Sequence, residues 1–418
     1  MFWQKLHKKE INNRVFQALK ENTTYKDDSI FGIPGTFLEQ NIFYGNAPFL
    51  KDAPYLQTLI NNPNHIGCHT LDGGSEPFFK GTQKLEKEVI GICAEQIFRA
   101  QEKTYDGYIT SGGTEANIQA LWVYRNYFIK EHKAKLEEIA VIYSEDTHYS
   151  FAKGTNVLSI QSLVVKVDPT SREIDLGDFQ KTLHDAQKKG IKHFIVIQNL
   201  ATTMFGSIDH IEKITSTLIQ NNISFKLHVD AAFGGFIVPF VKSLTTYSFQ
   251  NNHISSITLD GHKMLQAPFG TGIFIIRKNL LPYVETQEAK YVHGHDFTLC
   301  GSRSGANAVA LWMILMINGS HQWANHIQQL IKRTHYLCQQ LDELNIPYYR
   351  NPACNIVTLQ AESIPVKIAQ KYRLVPNDTK GNMKWWKIVV MEHVSEQKIN
   401  TFIEDLKQEP ITDVITTH

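Results

Sequence analysis

Residues 193–230 read HFIVIQNLATTMFGSIDHIEKITSTLIQNNISFKLHVD. HFIVIQ (193–198) and FKLHV (225–229) are apolar, β-branched runs of strand length, and HIEKITSTLIQNN (210–222) between them has helical periodicity. Strand, helix, strand is the unit of a parallel sheet, because parallel neighbours need a long crossover to return to the same end. The pattern repeats on both sides. EIAVIY (138–143), SLVVKV (162–167), SSITL (255–259) and GIFII (272–276) read as further strands, and TEANIQALWVYRNYF (114–128) as a further helix. Upstream, GTQKLEKEVIGICAEQIF (81–98) reads as an amphipathic helix with Leu85, Val89, Ile92, Cys93 and Ile97 on one face. The expected class is α/β, a mixed and mostly parallel sheet with helices on both faces.

Near residue 306 the texture changes. Helical stretches 306–317 and 322–345 lead into NIVTLQ, a Lys- and Trp-rich loop, WKIVVMEHV and a last helix, which reads as a smaller α+β C-terminal domain. Residues 1–66 are polar and irregular, rich in Asn, Gly and Pro, a texture suited to packing on another subunit. The expected division is 1–66, 67–305 and 306–418.

Composition narrows the function. With 42 Lys+Arg against 41 Asp+Glu, the chain lacks the cationic excess of a dedicated nucleic-acid binder or a polybasic membrane-surface protein. Its longest apolar run, Ala308 to Ile317, is about half of the ~20 residues that span a bilayer. MFWQKLHKKEINNR at the N-terminus has no secretory signal pattern. Five scattered cysteines (Cys68, Cys93, Cys300, Cys338, Cys354) without a CxxC pair speak against a disulfide framework and for a reducing cytoplasm.

Four polar clusters follow strands or precede helices, where open α/β sheets gather ligands. Thr110-Ser111-Gly112-Gly113-Thr114-Glu115-Ala116-Asn117 precedes a helix, and its glycines, hydroxyls and helix N-terminus suit an anion; a plain helix cap at Thr114 is the other reading. Asp230 ends the strand LHV and needs a cationic partner, a ligand atom or a structural Arg or Lys. Small residues (Ala231, Ala232, Gly234, Gly235) follow it and admit a flat group. Lys263, in DGHKM, is a candidate for Schiff-base chemistry, or a surface lysine. His148, in SEDTHYS, is a candidate to stack on a planar ligand or move a proton, or to cap. One ligand unites a phosphate cradle, an acid for a ring nitrogen, an amine and an aromatic stacker: pyridoxal 5'-phosphate (PLP).

At these residues the sequence resembles the group II PLP-dependent amino-acid decarboxylases, of the aspartate-aminotransferase fold type (type I). Its wording is nearest to the branch with bacterial histidine decarboxylase and plant serine decarboxylase. The match runs in order through SGGTEAN, YSEDTHYSFAK, NLATTMFGSID, LHVDAAFGG, DGHKM and HDFTLCGSRSGANAVALW. The resemblance implies decarboxylation of an L-amino acid to an amine and CO2. It implies Lys263 as Schiff-base lysine, Asp230 as partner of the pyridine nitrogen, and His148 and Ala232 on the two ring faces. Ser111, Gly112, Gly113 and Thr114 would hold phosphate, with His262 and Thr258 adding contacts, and Thr203 would lie near the 3'-oxygen. The family's Gly-Thr-Thr reads Ala201-Thr202-Thr203 here, and Asp260 stands where relatives often have Asn or Ser. Tyr291 is the first candidate to protonate Cα, with His293 and His295 behind it. Ser302 matches a position that reaches a neighbouring subunit's site, implying a homodimer with shared active sites.

Other reactions on this scaffold, transamination or aldehyde-lyase cleavage, stay open, and Arg350 and Arg373 are available as carboxylate clamps. A non-catalytic PLP-fold protein has no reason to keep Lys263, Asp230 and His148 together. No HExxH or comparable ligand cluster supports a metal hydrolase. For the substrate, His65 and His69 are candidate entrance residues or loop caps, and Trp385 and Trp386 an aromatic wall or C-terminal packing; histidine, serine, aromatic and acidic amino acids remain open.

Overall fold

Seven strands form the central sheet of the computed structural model, which describes residues 3–27, 30–33, 36–71, 76–286, 295–381 and 383–409. They are β1 (Tyr105–Thr110), β2 (Ile139–Ser144), β3 (Gln161–Val165), β4 (His193–Asn199), β5 (Ser224–Asp230), β6 (Ile254–Asp260) and β7 (Gly272–Arg277). Their spatial order is β1-β7-β6-β5-β4-β2-β3. Neighbours from β6 to β3 are parallel, and β7 runs antiparallel to both β6 and β1. The six strands read from the sequence are present within a residue or two. β1 was not among them, because Asp106 and Gly107 break its apolar run. Gly107 is required there: a Cβ would come 2.4 Å from the Phe274 carbonyl oxygen on β7.

The principal helices are α1 (Lys8–Glu21), α2 (Lys80–Gly91), α3 (Gly113–His132), α4 (Ser150–Leu158), α5 (Leu176–Lys188), α6 (Ile211–Gln220), α7 (Gly305–Glu343) and α8 (Glu396–Gln408). Successive strand residues feed opposite cores. Ile109, Val229 and Ile257 pack with Val89, Leu311 and Trp312 of α2 and α7, whereas Tyr108, Val141 and Phe274 pack with Leu121 and Tyr124 of α3. Burial on both faces explains why the strands read as continuous apolar runs.

The two stretches expected at 306–317 and 322–345 are one helix, α7, interrupted at Gly319 (φ 62°, ψ 166°). The N-terminal segment crosses at that break, and a Cβ on Gly319 would lie 2.6 Å from the Lys5 nitrogen. The break frees helical backbone groups, and the crossing segment satisfies them: Ser320 N–H donates to Trp3 O (3.0 Å), and Leu6 N–H donates to Met316 O (2.8 Å). Beyond α7 lies an antiparallel sheet of β8 (Tyr348–Tyr349), β9 (Ile356–Gln360), β10 (Val375–Pro376) and β11 (Trp385–Val389), in the order β8-β9-β11-β10. Its core joins Val357, Leu359 and Trp386 to Leu337 of α7 and Phe402 of α8. No helix among the described residues is long and apolar enough to cross a membrane.

Candidate active site

The C-terminal ends of β4, β5 and β6 meet the N-terminus of α3 around a cavity of about 460 Å³. Asp230, the last residue of β5, borders it. Its Oδ1 accepts the Ala232 N–H (3.0 Å) and its Oδ2 accepts from Asn117 Nδ2 of α3 (3.0 Å). Two N–H donors satisfy this buried acid. Ala232 borders the cavity beside it, and His148 enters from the turn after β2. His148 Nδ1 accepts from the Ser150 N–H (3.3 Å) and lies 2.9 Å from Ser150 Oγ, so the ring proton is on Nε2. Burial lowers the His148 pKa, against the pull of Asp230.

Lys263 borders the same cavity, its Nζ 3.2 Å from Asp260 Oδ2. Burial raises the Asp260 pKa, and Lys263 and His262 oppose that rise. Ser111, Gly112, Gly113 and Thr114 line the cavity at the start of α3, as do His262 and Thr203. The Gly113 N–H, expected to face phosphate, donates to Asp260 Oδ1 at 2.6 Å. Ala201, in place of the family's glycine, sits at φ 77°, a conformation that favours glycine.

Thr258 and Ser302 do not line this cavity. Thr258 pairs with Asp230 across β5 and β6, and its hydroxyl lies 3.2 Å from His228 Nε2. Ser302 lies in the short ribbon that pairs Asn64–Ile66 with Ser302–Ser304, where its Oγ accepts from Asn64 Nδ2 (3.0 Å). Tyr291 and His293 fall outside the described residues, and His295 is paired with Glu285. His65 and His69, read as entrance candidates, are buried with Glu86 and do not line the cavity. Neither Arg350 nor Arg373 borders it. Trp386 packs in the C-terminal core, while Trp385 meets Phe205 edge-on at 5.6 Å between ring centroids.

The sequence reading missed Asn199 and Lys387, and it held Asn117 within the anion cluster without a role of its own. Asn117 and Asn199 border the cavity, and Asn199 had a signal, a polar side chain at the end of an apolar strand. Lys387, on β11, donates from Nζ to the Thr203 carbonyl (3.1 Å), and burial followed by the charge of Lys263 lowers its pKa.

This donor set fits PLP. A buried carboxylate anchored on two N–H groups still faces open space, a primary amine shares the wall, and small and aromatic side chains border the same cavity. The family model described as pyridoxal-dependent decarboxylase conserved domain matches residues 62–349. Tryptophan decarboxylase of Clostridium sporogenes is 47% identical over 407 residues, 97% of this chain and 97% of the relative. Histidine decarboxylase of Vibrio anguillarum is 30% identical, over 88% of this chain and 92% of the relative. L-Methionine decarboxylase from Streptomyces sp. 590 superposes with a TM-score of 0.71 at 20% identity, over 96% of this chain and 95% of that one. A sphingosine-1-phosphate lyase of Burkholderia pseudomallei superposes with a TM-score of 0.67 at 17% identity, over 79% and 77%.

Proposed function

The chain belongs to the pyridoxal-dependent decarboxylase family, and from that premise we propose that its substrate is an aromatic L-amino acid, tryptophan first. It is a PLP-dependent carboxy-lyase that converts an L-amino acid to the amine and CO2. The observation that carries the tryptophan reading is the 47% identity with a tryptophan decarboxylase across nearly the full length of both chains. Ile118, Phe233 and Leu299 border the cavity and offer an apolar surface to a large side chain. Beside it lies a cavity of about 610 Å³ that shares His148, Tyr149 and Thr203 and is bordered by Phe205 and Trp385.

PLP, when bound, supplies the electron sink for the bonds at Cα. In the proposed arrangement Lys263 supplies the tethering amine. Asp230 holds a proton at the ring nitrogen, His148 covers one ring face and Ala232 the other. The His148 Nε2–H, its opposite nitrogen being held by Ser150, donates toward the substrate carboxylate. Ser111, Gly112, Gly113, Thr114 and His262 hold the phosphate, Thr203 stands near the 3'-oxygen, and the Thr258 hydroxyl stands beside His228 Nε2. Tyr291, with His293 and His295 as alternates, returns the proton to Cα.

We also propose a cytoplasmic homodimer in which residues 1–66 pack on the partner, 67–305 bind the coenzyme and 306–418 form the small domain, with Ser302 facing the partner's site. Phe31, Phe37, Ile42, Phe43 and Phe49 are all exposed in the first of these, apolar side chains that a partner subunit would cover.

Purified protein assayed for CO2 release against the twenty amino acids tests the substrate. Tryptophan should turn over fastest, and a faster reaction with histidine or an acidic amino acid would overturn the aromatic reading. Lys263→Ala should lose the coenzyme's visible absorbance and its trapping by borohydride; covalent coenzyme retained in that variant would remove Lys263 from its role.

A further inference from the structure

Behind Asp230 runs a buried chain of polar side chains whose direction is fixed. A carboxylate only accepts, so the group that Asn117 turns to Asp230 Oδ2 is its Nδ2 (3.0 Å). The Asn117 Oδ1 then faces the other way, 3.0 Å from His228 Nε2. His228 therefore carries its proton on Nε2, and its Nδ1 accepts from Ser256 Oγ at 2.6 Å. Tyr124 OH in turn donates to Ser256 Oγ. Tyr124, Asn117, His228 and Ser256 are all fully or almost fully buried. Burial lowers the His228 pKa to about 4, so the imidazole is neutral. From Tyr124 through Ser256 and His228 to Asn117, on α3, β5 and β6, each link of the chain donates toward Asp230.

We propose that Asn117 and His228 are positioning residues that keep the proton shared between Asp230 and the coenzyme's ring nitrogen on the ring. The inference rests on the reading that Asp230 faces that nitrogen. Each N–H donated to Asp230 lowers the carboxylate's own affinity for a proton. Remove a donor and the acid becomes a stronger base, so the shared proton moves toward it and the ring loses its pull on electrons. A neutral His228 matters for a separate reason, since an imidazolium there would compete with the pyridinium for the charge of Asp230. The same Asn117 Nδ2 lies 2.9 Å from Ser150 Oγ, the hydroxyl beside His148 Nδ1.

The test uses holoenzyme loaded with PLP carrying nitrogen-15 in its ring, together with coenzyme dissociation measured by dialysis. In wild type the ring-nitrogen signal should hold its protonated position. His228→Leu should move it toward the unprotonated position and speed coenzyme loss about tenfold, the equivalent of one pKa unit. His228→Gln, which again offers an N–H to Asn117 Oδ1, should restore most of both. Asn117→Asp should give the larger shift, because it places a second carboxylate beside the first. If His228→Leu changes neither readout while Asp230→Asn changes both, the relay is refuted and the site reading stands. If Asp230→Asn also leaves the signal in place, it is the site reading that falls, and the relay with it. Should His228→Leu fail to fold, the imidazole nitrogen spectrum of coenzyme-free wild type decides: a proton on His228 Nδ1 would run the chain away from Asp230 and overturn the proposal.

Discussion

The Asp260 carboxylate sits on the backbone N–H of Gly113, with 2.6 Å between Oδ1 and the nitrogen, at the N-terminus of α3. That N–H is one of the groups a phosphate cradle uses. A carboxylate there competes with a dianionic phosphate for the donor and repels it. Asp260→Asn keeps an oxygen for the Gly113 N–H and removes the charge. It should bind PLP several-fold more tightly, read by fluorescence titration of the coenzyme-free protein. Weaker binding would mean that the charge of Asp260 is needed to hold Lys263, 3.2 Å away.

Gly113 gives the converse. A Cβ added there would lie 2.9 Å from Asp260 Oδ2 and 3.3 Å from the Ala232 Cβ, so it would push against both the cradle and the residue under the ring. Gly113→Ala should weaken PLP binding about tenfold or more, or ~1.4 kcal/mol, with little change in far-ultraviolet circular dichroism. In an Asp260→Ala background, which removes the carboxylate that the new Cβ meets, the loss should shrink. Equal losses in both backgrounds would place the clash at Ala232 alone.

Much of this site was legible because its chemistry sits where elements change. Asp230 ends an apolar strand, Gly112-Gly113 opens a helix, and Lys263 follows a strand, so each stood out against its neighbours. Asn117 and His228 did not. One lies four residues into α3 and the other inside β5, and both look like ordinary members of those elements until α3 is laid across the sheet. The Asn117–Asp230 bond joins positions 113 residues apart, and no local pattern encodes it. β1 was missed for a related reason: the acid and glycine that make it fit the sheet edge are the residues that spoil its periodicity.

Asp209 holds Asn199, which borders the cavity. Its Oδ2 accepts both the backbone N–H and the side-chain Nδ2 of Asn199, each at 2.7 Å. Burial pushes the Asp209 pKa up to about 7, against those two hydrogen bonds. The native state therefore binds this proton more tightly than the unfolded chain, and stability from this group is full below about pH 4 and lost as pH rises through about 7. Asp209→Asn should remove that contribution. The difference in melting temperature, wild type minus variant, should fall steadily from pH 4 to pH 7. A flat difference would show that Asp209 is ionised throughout and that water reaches it.

Glu86 makes the strongest stability prediction. Its Oε1 accepts from Arg303 Nη1 (2.8 Å) and from the Ile109 N–H (2.8 Å), while Oε2 bonds His65 Nδ1 and lies 3.6 Å from His69 Nε2. Burial alone would raise the Glu86 pKa, but Arg303 and then His65 override it and hold the carboxyl well below its usual range. Arg303 also donates to the carbonyls of Ile109 and Gly67, so one ion pair ties β1 to the segment before α2 and to the start of α7. Glu86→Gln keeps the shape and leaves a guanidinium buried without its counter-charge, a loss of about 3–5 kcal/mol in such pairs. Urea unfolding of the holoenzyme should show that loss. Replacing both partners, Glu86→Gln with Arg303→Met, should recover part of it, because the stranded charge is then gone. If the double variant is no more stable than Glu86→Gln alone, the loss comes from the Ile109 and His65 hydrogen bonds, and the ion pair contributes nothing of its own.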